Sequence, residues 1–190
     1  MLALLTGLVL FLGIHSLSIV APSLRETFAR RLGEWPYKGL YSLVAIAGFV
    51  LIIQGYGAAR LDPLVLYTPP VWMHLVTAVL MLIVFPGLLA TYFPGRISAA
   101  LKHPTLVAVK AWALAHLLSN GQLADVALFG GFLIWAVADR ISMKRRSPRP
   151  IPHLRASWMN DGIVVIGGMT LYVGFLLWLH PAWIGVPVIP

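Results

Sequence analysis

The sequence predicts an all-α fold, a polytopic bundle of transmembrane helices with about six spans and both termini extracytoplasmic. Three observations predict it. The 190 residues are 59% apolar and only 11% charged, with a mean hydropathy of +0.87, outside soluble globular averages. Apolar runs of helix length recur between prolines and charges. The basic residues are also distributed very unevenly among the connections, as they are in proteins oriented by positive charge on the cytoplasmic side.

The runs lie at 2–21, 39–57, 71–93, 105–118, 124–141 and 162–179. A hydrocarbon core about 30 Å thick needs close to 20 helical residues, so the fourth is short and must sit off-centre or be extended by its flanks. The first has no basic residue before it and no small-residue cleavage site, and reads as an uncleaved span. Pro22, Pro36, Pro63, Pro69, Pro70, Pro94, Pro104, Pro148, Pro150 and Pro152 punctuate the connections, where a missing N–H does no harm. Pro86 alone lies inside a run, the third, and should kink it.

Twelve of the 14 lysines and arginines belong to three alternate connections: Arg25 to Lys38, Arg96 to Lys102, and Arg140 to Arg155. The intervening connections hold only Arg60, and Lys110 lies within a run. The connections starting near Pro22, Pro94 and Ser142 are therefore expected to be cytoplasmic. The longest of them, a basic linker at 142–161, can rest on anionic lipid. The net charge of +8 thus carries orientation, with the bilayer as partner and no nucleic acid implied. One domain is expected over 1–190. With no cysteine, disulfides, thiolate metal sites and covalent haem attachment are excluded. Gly7, Gly13, Gly48, Gly130, Gly131, Gly167, Gly168 and Gly174 lie within runs, where small residues let helices approach closely; the alternative is that some leave room for a flat cofactor or lipid-like ligand.

The chemistry concentrates at 103–121, an apolar stretch carrying His103, Lys110, His116 and Asn120. Lysine near the centre of a span costs roughly 2.5–3.5 kcal/mol on insertion scales, so an intramembrane ionisable group is a functional-site hypothesis. Trp112, His116 and Asn120 share one helical stripe, and His103 and Lys110 another. Ser119-Asn120-Gly121 reads as a tight turn using left-handed conformations. His15 stands near the inner end of the first run.

Two neutral imidazoles in an apolar bundle, His15 and His116, are the usual axial donors to a non-covalent haem b. The alternative is that each only hydrogen-bonds a neighbouring carbonyl or serine. Along their helices the two differ in depth by roughly 12 Å, which tilt or a deeper fourth helix would have to close. Zinc is disfavoured, because no third ligand of the usual kind accompanies them. His103 before Pro104 reads as a capping or headgroup residue, with a ligand role in reserve. Lys110 can reach a headgroup, a haem propionate or an aspartate. His74 and His180 belong with Trp72, Tyr67, Trp178 and Trp183 in an interfacial belt. Asp139, beside Arg140, is expected to be solvated.

Gly13-Ile14-His15-Ser16, His103-Pro104 thirteen residues before His116, Trp112, the Ala115-to-Gly121 turn and the closing His180-Pro181-x-x-x-Gly185-Val186 together resemble the NnrU family, bacterial membrane proteins associated with denitrification and nitrogen-oxide metabolism. The resemblance covers nearly the whole chain. A plant ζ-carotene isomerase shares that domain and is described as a membrane haem b protein with histidine ligands. The resemblance therefore points to His15 and His116 as metal ligands, with His103 in reserve, while Lys110, Trp112 and Asn120 are cofactor-binding candidates on the residue chemistry and spacing above. That isomerase is thought to exchange an axial ligand for cysteine; Ala113 stands where one would be expected, so the switch does not transfer.

Three functions follow. The first is an NnrU-like protein of the bacterial inner membrane that binds haem b and serves nitrogen-oxide metabolism or a redox step on a small or lipid-like ligand. The second is a haem-dependent cis–trans isomerase of a polyene such as a carotenoid. The third is a non-enzymatic assembly or transport protein in which the histidines only pack. An isoprenylcysteine-type methyltransferase ranks below these, because its acidic and arginine partners are not evident.

Overall fold

Every apolar run is helical in the computed structural model, which describes residues 1–146, 153–186 and 188. In chain order the helices are α1 (Leu2–Val20), α2 (Pro22–Leu32), α3 (Glu34–Ala59), α4 (Met73–Met81), α5 (Val84–Ala90), α6 (Arg96–Leu101), α7 (Pro104–Ser119), α8 (Leu123–Ser142), α9 (Met159–Gly174) and α10 (His180–Ile184); a π-helical segment, Phe175–Leu179, joins the last two. Among the described residues the only extended pairing is an isolated antiparallel bridge between Val65 and Gln122. A helix satisfies its own backbone polar groups, as hydrocarbon surroundings demand.

Four stretches are long and apolar enough to cross a bilayer: Leu2–Val20, Glu34–Ala59, Met73–Ala90 and Met159–Ile184. α7 has 16 residues. α8 has 20 residues but carries Asp125, Asp139 and Arg140 toward its ends. α3 starts earlier than its apolar run, with Glu34 and Pro36 in its first turn, where proline is tolerated.

The chain forms two compact units, Met1–Thr68 with Asn120–Arg146, and Pro69–Ser119 with Ser147–Pro190. In the first, α1 packs on α3 and α8 while Val9, Leu43, Ile46 and Ile134 point outward. The contact itself is made by small residues. A Cβ on Gly7 would lie 2.6 Å from the Ile52 nitrogen, and one on Gly48 would lie 2.7 Å from the Phe11 nitrogen. Large side chains outside and glycine within is the pattern of helices packed in lipid, where close backbone approach replaces hydrophobic drive.

The ends of α8 correct two expectations. Asp139 is not solvated: it is 7% exposed and ion-paired with Arg146, whose guanidinium also donates to the Ser18 carbonyl at 3.1 Å. The reason is that α8 stops at Ser142, and the turn beyond it brings Arg146 back. At the other end the Gly121 carbonyl accepts from the Leu66 and Tyr67 N–H groups at 2.8 and 3.2 Å, and Leu123 N–H donates to Leu64 at 2.8 Å. Neither Asn120 nor Gly121 is left-handed; among the described residues only Lys102, Gly33 and Gly185 have positive φ. Glycine is needed at 121 because a Cβ there would strike the Tyr67 carbonyl.

In the second unit, α7 presents Ala108, Ala111, Ala113 and Ala115 to the interior, and α4 and α5 pack on it. The Thr77 hydroxyl donates to the Ala115 carbonyl at 2.8 Å, and Tyr172 to Ala78 at 3.1 Å. Pro86 interrupts the third run as expected. The break falls at Leu82–Ile83, where proline deprives the Leu82 carbonyl of its donor. The ring of Pro86 fits against Gly168, on which a Cβ would lie 2.6 Å from Pro86 Cγ.

The expected linker at 142–161 is shorter than foreseen. Residues 147–152, with Pro148, Pro150 and Pro152, lie outside the described residues, but Met159, Asn160 and Asp161 are already in α9. Leu154 and Ser157 N–H groups donate to the Tyr92 and Pro94 carbonyls at 3.0 and 3.1 Å. Asn160 Nδ2 bridges Pro94 and Arg155 carbonyls, and Asp161 accepts the Arg96 and Ile97 N–H groups at 3.1 and 3.0 Å. The closing motif is a local lock: Pro181 starts α10, left-handed Gly185 ends it, and His180 Nδ1 donates to the Val186 carbonyl at 2.7 Å.

Candidate functional site

His15 lies in the first unit, on α1. Its Nδ1 is 2.6 Å from the Phe11 carbonyl one turn earlier. A carbonyl cannot donate, so Nδ1 carries a proton in this hydrogen bond. Three aromatic rings surround the imidazole. Phe11 stacks on it at 4.3 Å between centroids, Tyr41 of α3 meets it edge-on at 5.3 Å, and Trp135 of α8 stands perpendicular at 6.0 Å. Trp135 Nε1 is buried with no hydrogen-bond partner in this structure. A buried donor left unmade normally costs about 1–3 kcal/mol and asks for an explanation.

His116 lies in the second unit, in the last turn of α7. It repeats the arrangement, with Nδ1 2.9 Å from the Trp112 carbonyl. The two rings of Trp112 and His116 are 5.7 Å apart and tilted by 52°. Trp112 packs in turn against the buried cluster of Val84, Ala108 and Ala111. The expected stripe of Trp112 and His116 is therefore present on α7. Asn120 is not on it: α7 ends at Ser119, and Asn120 belongs to the first unit, where its carbonyl accepts the Tyr67 hydroxyl at 2.8 Å. Burial, and then the Asp125 carboxylate, raise the Tyr67 hydroxyl above its ordinary range and keep it a donor.

His103 precedes α7 and its carbonyl accepts the Val107 N–H at 3.1 Å, in line with a capping position. Lys110 is partly buried on α7. His74 and the tryptophans Trp72, Trp178 and Trp183 are exposed. Among the described residues no three His, Asp or Glu side chains converge as a protein-held metal ion would need.

Two features escaped sequence reasoning. The ring cage of His15 draws on Tyr41 and Trp135, distant in the chain, and only Phe11, four residues before His15, could have signalled it. The other is Asp125, 3% exposed, which accepts the Tyr56 hydroxyl at 2.6 Å and the Gln122 N–H at 2.9 Å. That arrangement caps α8 and ties it to α3, a structural use of a buried carboxylate.

Comparison with known proteins gives one match: a family model described as NnrU protein matches residues 3–188. No curated protein and no solved structure matches the chain.

Proposed function

This chain belongs to the NnrU family, and from that premise we propose that it is a haem b protein of the bacterial inner membrane serving nitrogen-oxide metabolism, with about six spans and both termini extracytoplasmic. His15, in the first unit, and His116, in the second, are the residues that would each offer a ring nitrogen to the haem. The observation that carries the reading is the aromatic cage of His15, in which Trp135 Nε1 is buried with no hydrogen-bond partner among the described residues; the bond from each histidine Nδ1 to the carbonyl one turn back suits a ligand and a packed ring alike. A hydrogen bond from the far ring nitrogen fixes the tautomer and orientation of a metal-ligating histidine.

The residues present fit the cofactor in two respects. The His15 surroundings are aromatic and apolar, and Trp135 Nε1 is a buried donor without a partner. When bound, haem would supply one-electron chemistry, with a potential tuned by its protein ligands and the dielectric around it. The protein's part is to hold each ring by its Nδ1 and to exclude water with Phe11, Tyr41 and Trp135 around the first. The orientation rests on the concentration of lysine and arginine in alternate connections.

The test is optical. Full-length protein purified in detergent after expression with ample haem should show a Soret band, and His15→Ala and His116→Ala should each abolish or shift it. A folded, colourless wild type would overturn the proposal and leave the histidines as helix-bound polar groups of an assembly or transport protein.

A further inference from the structure

The corner between α2 and α3 is a basic feature from which the haem reading takes no ligand. α2 is amphipathic: Leu24, Phe28 and Leu32 recur at four-residue spacing and are all exposed, on a helix that also carries Arg25, Arg30 and Arg31. A cleft of about 340 Å³ opens beside it, lined by Arg25, Glu26, Arg30, Glu34, Tyr37 and Lys38. Within it Lys38 is matched by Glu34 at 2.6 Å, so Arg25 and Arg30 carry the excess of positive charge over Glu26. The Arg25 guanidinium stands over the Tyr37 ring at 5.5 Å from its centroid. That ring is 7% exposed, and its hydroxyl is buried without a hydrogen-bond partner among the described residues.

We infer that this cleft binds the phosphate headgroup of an anionic phospholipid, with Arg25 and Arg30 on the phosphate and the Leu24, Phe28 and Leu32 stripe on the acyl chains. Charge complementarity selects the headgroup, because a planar guanidinium held on an aromatic face is suited to phosphate. A free phosphate would need only the cations. The apolar stripe suits α2 to lie in the interface plane, and Trp35 at the start of α3, 81% exposed with its ring 5.3 Å from Lys38 Nζ, suits headgroup depth beside it.

Native mass spectrometry of the full-length protein in detergent reads the binding directly, with phosphatidylglycerol and phosphatidylcholine of identical chains as probes. Phosphatidylglycerol should be retained preferentially. Arg25→Gln and Arg30→Gln should each weaken it about fivefold, and the double variant about thirtyfold. Arg25→Lys with Arg30→Lys should restore most of the binding, which separates loss of charge from loss of fold. Lys144→Gln, an exposed basic change elsewhere, should leave it unchanged. Equal retention of the two lipids, an equal effect of Lys144→Gln, or complete displacement by millimolar inorganic phosphate would each overturn the inference.

Discussion

Replacing Gly48 by alanine tests the packing that holds α1, and with it His15, in place. The added Cβ would lie 2.7 Å from the Phe11 nitrogen and 3.0 Å from the Gly7 carbonyl oxygen, against 3.4–4 Å for ordinary contact. The neighbours are backbone of a facing helix and cannot rotate away, so α1 and α3 must part by about 0.7 Å, the difference between 3.4 and 2.7 Å. Overpacking of that kind costs about 1–3 kcal/mol. Gly13→Ala is the control. It sits on the same helix pair with nothing within 4 Å of its would-be Cβ, and it brings the same gain in helix propensity of about 1 kcal/mol. The difference between the two variants therefore isolates the contact, at about 2 kcal/mol, or roughly 30-fold in the folded-to-unfolded ratio. Unfolding of the purified protein in mixed micelles, titrated with dodecyl sulfate and followed by tryptophan fluorescence, measures it. Equal midpoints for Gly48→Ala and Gly13→Ala would refute the close α1–α3 approach.

Three further outcomes are expected. Arg146→Met leaves the buried Asp139 carboxylate without its partner and should lower stability by about 3 kcal/mol in the same titration, with part of the loss recovered in the Asp139→Asn, Arg146→Met double variant. Asp161→Ala removes the acceptor of the Arg96 and Ile97 N–H groups and should cost about 1–2 kcal/mol, with faster hydrogen exchange at α6 as its local sign. Because the chain has no cysteine, a single cysteine placed by Ser147→Cys should be labelled by a membrane-impermeant maleimide only after the cell is opened; labelling in intact spheroplasts would refute the proposed orientation.

The proposed cofactor site was only partly legible in the letters. His15 and His116 stand out because imidazole is rare in an apolar run, and the turn that anchors each Nδ1 is contained within five consecutive residues. Tyr41 and Trp135 do not stand out, since an aromatic residue in an apolar run has no local mark of the ring it will face. Asn120 shows the limit of periodicity. Its spacing from His116 is helical, but the helix stops one residue earlier, where the pairing of residues 64–67 with 121–123 takes over the backbone.

What the sequence alone determined is the helical character of the chain and the interruption at Pro86. Both follow from local chemistry: a segment in hydrocarbon must satisfy its backbone groups within itself, and proline withdraws one donor at a known offset. Tertiary structure decided which small residues are contacts and which are merely small. A Cβ on Gly48 would meet a facing backbone while one on Gly13 would meet nothing within 4 Å among the described residues, and Gly121 serves close approach in place of left-handed geometry. It also decided that Asp139 pairs with Arg146 in preference to adjacent Arg140. The physical reason is that steric fit and charge pairing depend on distances between segments far apart in sequence, and helical spacing encodes distances only along one helix.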